Sequence, residues 1–150
     1  MKKSTILRFI NKAIGSHKKE MFVLVSFRSQ RSMRNFDGNV SILTKKGHRW
    51  DKLGCIMLLN RSAFATNNNL SRQKAIILHE LGHYFTRSCQ DSKREYRAQQ
   101  WAVHKAKEMG LHGVVYTLKD NIKDWVNYDW NSSNRKYRMA YNIAKNEKLI

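Results

Sequence analysis

Apolar positions recur along the chain with two different periods, and the change of period separates a strand-rich first half from a helical second half. Ile6, Ile10, Ala13 and Ile14 fall on one face of a predicted amphipathic helix, with Leu7 and Phe9 beside them. Ser4 is placed to cap that helix and Gly15 to end it. Met21 to Phe27 is β-branched and aromatic and predicts a strand. A polar, basic stretch (Arg28, Arg31, Arg34) leads to the turn signal Asp37-Gly38 and a second strand over Val40 to Leu43. Lys45-Lys46-Gly47 turns the chain again, and Gly54 to Asn60 is a third, more apolar strand. The polar run Asn67-Asn68-Asn69 then reads as a loop.

From there the period is helical. Ile77, Leu78, Leu81 and Phe85 form one helix, with Ser71 as its N-cap. Ser92-Lys93-Arg94-Glu95 opens another, in which Ala98, Ala102 and Ala106 recur every four residues beside Trp101 and Met109. Thr117 to Asp120 has a capping-box pattern ahead of Ile122, Trp125 and Val126. After Asn131-Ser132-Ser133, a last helix places Tyr137, Ala140, Tyr141 and Ala144 on one face and its basic residues elsewhere. The expected fold is a single α+β domain over residues 1–150: a small three-stranded antiparallel or mixed sheet backs the 71–85 helix, further helices follow, and 110–150 is a helical C-terminal extension. A plain helical hairpin is expected near the end, in preference to a helix-turn-helix.

Composition adds a strong basic bias. The net charge is +18. Residues 1–50 hold 12 basic against 2 acidic side chains, an excess of +10, and each following block of fifty carries +4. Such a field favours an anionic partner, whether nucleic acid, an acidic protein or an acidic membrane surface, although a solvated basic surface has the same composition. Cys55 and Cys89 are too far apart in sequence for a metal-binding pair. Cys55 lies in an apolar run and reads as a buried thiol, so a reducing, cytoplasmic setting is expected. Arg8, Asn11 and Lys12 interrupt what would be the apolar core of a secretory signal, and no segment has the roughly 20 apolar residues of a membrane span.

The candidate chemistry lies in His79-Glu80-Leu81-Gly82-His83. On a helix, His79 and His83 stand one turn apart on one face, able to hold a single zinc ion, with Glu80 one step round as a general base. Gly82 costs about 1 kcal/mol inside a helix relative to Ala, which implies that another element packs closely there. Glu95 is the expected third ligand, since the small-residue stripe of its helix permits close approach; its other reading is a capping-box partner of Ser92. His17, His48, His104 and His112 have no ligand-like spacing. Tyr84 and Tyr96 are the tyrosines nearest in sequence to steady an oxyanion.

Taken together, Gly54 to Asn60, His79-Glu-Leu-Gly-His83 and Glu95-Tyr-Arg-Ala98-Gln-Gln-Trp101-Ala102 resemble the ImmA/IrrE family of zinc metallopeptidases across about residues 54–109. The resemblance implies a zincin-like fold, Zn2+ held by His79, His83 and Glu95, and Glu80 as catalytic base. It further implies a protein substrate, such as a repressor or other regulatory protein, in a family often encoded by phages and mobile elements. Arg97 stands where many members have a second acidic residue. The function expected is therefore zinc-dependent endopeptidase. The alternative is a basic nucleic-acid-binding or partner-binding regulatory protein on the same scaffold, without proteolysis.

Overall fold

A computed structural model describes residues 1–34, 36–44, 53–65, 67–88, 93–127 and 135–150. The predicted turn at Lys45 to Gly47, along with Cys89, Ser92, His48 and Asn131 to Ser133, lies outside the described residues. The fold is α+β, with a three-stranded mixed sheet and, among the described residues, six α-helices. The chain divides into two compact units, Met1–Glu80 and Leu81–Ile150.

In the first unit, α1 (Lys3–Ile14) buries Ile6, Phe9, Ile10, Ala13 and Ile14. Gly15 ends it with φ 55, a backbone conformation that costs glycine little. Ser4 lies inside this helix; the N-cap position is Lys2, with no side-chain cap bond, so the expected Ser4 cap is not formed. Strand β1 (Met21–Arg28) is followed by a short helix α2 (Gln30–Met33), capped by Ser29 Oγ accepting from the Ser32 N–H. Strands β2 (Gly38–Thr44) and β3 (Leu53–Asn60) complete the sheet in the order β1-β3-β2. β3 is central, parallel to β1 and antiparallel to β2. β3 is the more deeply buried of these two parallel strands: Gly54, Cys55, Met57, Leu59 and Asn60 are buried in it, as compared with Met21 and Val25 in β1.

One face of the sheet carries Cys55, Met57 and Leu59, all with no exposed surface. Gly38 pairs with Leu59 and shares that face. There helix α3 (Leu70–Phe85) covers it, for a Cβ at Gly38 would lie 2.9 Å from Glu80 Cγ and 3.0 Å from Ile76 Cγ2. The start of α3 is set by Asn69, whose Oδ1 accepts the backbone N–H groups of Ser71 and Arg72 at 2.8 and 3.2 Å. Asn ranks with Ser as a cap and comes two residues earlier, so Ser71 sits within the helix. Gln73, buried, donates to the carbonyls of Ala63 and Ala65 and so fastens the loop after β3 to α3.

In the second unit, the last residues of α3 meet α4 (Arg94–Glu108), followed by α5 (His112–Asp124), a 3₁₀ turn (Trp125–Asn127) and α6 (Arg135–Asn146). Ala98, Ala102 and Ala106 of α4 have no exposed surface, and neither do Ile122 of α5 or Ala140 and Ala144 of α6. Gln99, also buried, donates to the carbonyl of Leu118 at 2.7 Å and ties α4 to α5. Thr117 lies in the middle of α5, where its hydroxyl donates to the Gly113 carbonyl one turn back. The capping box expected at Thr117 is thus absent, because a mid-helix threonine satisfies its hydroxyl on its own helix.

Gly82 is the closest approach in this unit. A Cβ there would lie 2.3 Å from the Ala98 carbonyl oxygen and 2.9 Å from its Cα, both backbone atoms. Phe85 stacks on Trp101 one turn along, with ring centroids 4.8 Å apart. Gly82→Ala should therefore destabilise the protein by about 1–3 kcal/mol, overriding the roughly 1 kcal/mol by which Ala is preferred in a helix. Urea denaturation checks this; a Gly82→Ala protein more stable than the parent would show that the helices are not in backbone contact.

Candidate metal centre

α3 runs without a break through His79, Glu80, Gly82 and His83, so the two histidines are one turn apart on the same face. On α4 the first turn supplies Glu95, 4% exposed. Its Oε2 lies 3.3 Å from His83 Nε2. One ligand atom from each of His79, His83 and Glu95 lies within 4.8 Å of the other two. Two imidazoles and a carboxylate are a donor set that zinc accepts, and bonds of 2.0–2.1 Å at tetrahedral angles put donors about 3.4 Å apart. The His83–Glu95 spacing already matches that figure, so the residues fit a metal ion. The structure does not assign which one.

Ser92, the partner in the capping-box reading of Glu95, lies outside the described residues. The N-cap position of α4 is Lys93, without a side-chain cap bond, and Glu95 turns to His83. Its second oxygen accepts from Lys136 Nζ of α6 at 2.8 Å. A carboxylate this deeply buried needs such partners, and the lysine fixes its orientation while leaving Oε2 toward the histidine. Lys136 was not readable as a site residue, since it stands 41 residues from Glu95 in a helix whose basic side chains look solvated.

Glu80 is 6% exposed. Gly38 makes room for it, since a Cβ on that glycine would lie 3.0 Å from Glu80 Oε1. In sequence Gly38 reads only as half of a turn signal; its placement on the covered face of β2 gives it this second role. Cys55 occupies the same face, and burial, with the nearby Glu80 carboxylate as a smaller cause, pushes its thiol up from 9.0 to about 12. Tyr96 is also buried and donates its hydroxyl to Glu147. Burial first, and then Glu147, push that hydroxyl up to about 12. That hydroxyl is thus engaged by Glu147. Tyr84 is buried with the Arg87 guanidinium 4.6 Å from its ring centre. His17, His104 and His112 are exposed and take no part in the cluster.

Two outcomes follow from this geometry. The wild-type chain should bind about one zinc, and His79→Ala or His83→Ala should lose it, whereas Lys136→Met should weaken the metal about 10–100-fold by releasing the Glu95 carboxylate. Metal analysis after gel filtration and a competition titration read both; full occupancy in the two alanine variants contradicts the site. The thiol gives a pH signature. Because the folded-state value of Cys55 lies above its ordinary 9.0, its contribution to stability is complete below pH 9 and is lost as pH rises toward about 12. In a Cys89→Ser background, iodoacetamide at pH 8 should leave the folded protein unmodified and alkylate it in urea; rapid labelling of the folded form would place the thiol in a different environment.

Among the described residues, no helix is long and apolar enough to cross a membrane. Comparisons with protein-family models, with curated proteins and with solved structures found no match.

Proposed function

We propose that the chain is a zinc-dependent metalloendopeptidase of ImmA/IrrE type on a zincin-like scaffold, acting on a protein substrate such as a repressor or other regulatory protein. The observation that carries this reading is the convergence of His79, His83 and Glu95 with a buried glutamate next in sequence to the first of them. Zinc held by those three residues would supply Lewis acidity, polarising a carbonyl and acidifying a water. The rest falls to the chain. Glu80 accepts the proton of the attacking water and returns it to the leaving amine, the two halves of general acid–base catalysis by one carboxylate. Gly38 keeps the space beside that carboxylate clear of a side chain. Lys136 and His83 hold Glu95 from two sides, so that the ligand geometry is fixed before substrate arrives.

A metal site needs three or four ligands, and the residue beside the first ligand needs no buried carboxylate. Glu80→Gln should therefore abolish proteolysis while zinc content and urea midpoint stay at wild-type values. The measurement is cleavage of a denatured protein such as casein by zinc-loaded wild type and variant, read by mass spectrometry. Equal cleavage by both would assign the hydrolysis to something other than this site.

A further inference from the structure

The first unit holds an open cavity of about 420 Å3 lined by eight polar residues and Ala63. Five carboxamides contribute to it: Gln30, Asn60, Asn67, Asn68 and Asn69. Several of these are fixed by bonds within the fold. Asn60 donates to the Phe36 carbonyl and accepts from the Ser62 N–H, Asn68 donates to the Ser62 carbonyl, and Asn69 caps α3. Among the described residues, Asn67, the Oδ1 of Asn68 and the Nδ2 of Asn69 take no hydrogen bond, so donors and acceptors are open to a ligand. A carboxamide presents one acceptor and two donors in a plane and matches a peptide group on both counts. Base recognition in single strands rests on aromatic stacking, and among the described residues no aromatic side chain lines this cavity.

The surroundings set the sign of the ligand. Asp37 is the one acidic lining residue, and it pairs with Arg72 at 2.9 Å. That pair is solvent-exposed and so holds weakly, leaving the guanidinium, with its five donors, able to take a second carboxylate. Arg28, Arg31, Arg34 and Arg61, in or beside the segments that form the cavity, are all exposed. An anionic ligand is favoured.

Position ties the cavity to the reaction. Arg72, Ile76 and Glu80 follow at intervals of four on α3, one face of the helix, and Arg72 stands about 12 Å from Glu80 at 1.5 Å per residue. The same face follows the start of β2: Arg72 touches Asp37, while Ile76 and Glu80 abut Gly38. An extended peptide covers that distance in about 3–4 residues at roughly 3.3 Å each.

Building on the peptidase reading, we propose that this cavity is a substrate-recognition site for an acidic segment of the protein substrate, lying about 3–4 residues from the peptide bond presented to Glu80, with the carboxamides binding its backbone and Arg72 its carboxylate. The test uses the zinc-loaded Glu80→Gln chain, which keeps a peptide uncleaved. Three fluorescein-labelled probes are titrated by anisotropy: a ten-residue peptide rich in Asp and Glu, its Asn/Gln counterpart, and a ten-nucleotide DNA strand. The acidic peptide should bind more tightly than its neutral counterpart. Adding Arg72→Gln with Asn68→Ala should weaken it about tenfold, the loss of one charge-assisted bond, while zinc content and urea midpoint stay unchanged. Equal affinity for the two peptides, or an acidic peptide indifferent to the two substitutions, overturns the assignment. Tighter binding of the DNA strand, lost with the same substitutions, also overturns it and makes the cavity a nucleic-acid site. The two readings fail separately: peptide binding that depends on Arg72 in a wild-type chain that cleaves nothing removes the peptidase and keeps the cavity. Conversely, Glu80-dependent cleavage of acidic substrates that ignores Arg72 and Asn68 keeps the peptidase and removes the cavity.

Discussion

The backbone contact between Gly82 and Ala98 is the constraint on which the candidate metal centre depends. Two helices separated by ordinary side chains run 8–10 Å apart. With a glycine facing an alanine, the Ala98 carbonyl comes to where a Cβ would sit, 2.3 Å from that position. At such a distance Glu95, one turn before Ala98, reaches His83 of the neighbouring helix. Phe85 and Trp101 stack beside the contact and fill the space that small residues leave open. The residues that look like a motif, Gly82, Ala98, Trp101 and Ala102, therefore act through packing, and the ligands depend on them.

Glu95 shows how that packing becomes electrostatics. Burying a carboxylate costs several kcal/mol unless charges and hydrogen bonds replace its water. Here His83 faces one oxygen and Lys136 the other. The lysine comes from α6, whose Ala140 and Ala144 bury against the same unit and whose Tyr137 packs on Trp125. Residues 110–150, which resemble nothing in the motif, thus supply an orienting partner for a ligand. Removing Lys136 alone leaves a buried acid one cation short.

What the sequence made legible follows from physical range. Periodicity found all three strands and the buried stripes of α1, α4 and α6, because each depends on neighbours within one or two turns, whereas the choice between an antiparallel and a mixed sheet stayed open because β1 and β3 pair across 32 residues. The pairing of Glu95 with the histidines was also within reach, since Gly82 and the alanine stripe are local signals of close approach. Caps were read less well. Ser4, Ser71 and Thr117 were each the nearest hydroxyl residue to a helix start, yet the chain uses Asn69 for α3, no side chain for α1, and an earlier start for α5. Several residues satisfy the same chemical rule at a helix start, and tertiary contacts choose among them. Lys136 and the second role of Gly38 were out of reach altogether, because each is defined by a partner about 40 residues away, Glu95 and Glu80 respectively.

Gly38 also joins the end of the basic segment to the helix face that carries the candidate chemistry. The +10 of residues 1–50 includes Arg28 at the end of β1, Arg31 within α2 and Arg34 just after it. β2 then begins at Gly38, pressed against Ile76 and Glu80, one residue after Asp37 takes hold of Arg72. A side chain at residue 38 would displace the glutamate or lift the strand from α3. Either shift would part the arginine-bearing segment from the carboxylate and leave the charge as a general property of the surface. With glycine there, the Asp37–Arg72 pair is held about two helical turns from Glu80, close enough to act on the same bound chain. Electrostatic attraction of that kind falls off within about 10 Å at 0.1 M salt, so it can select among anionic segments held near the site and contributes little to those held farther away.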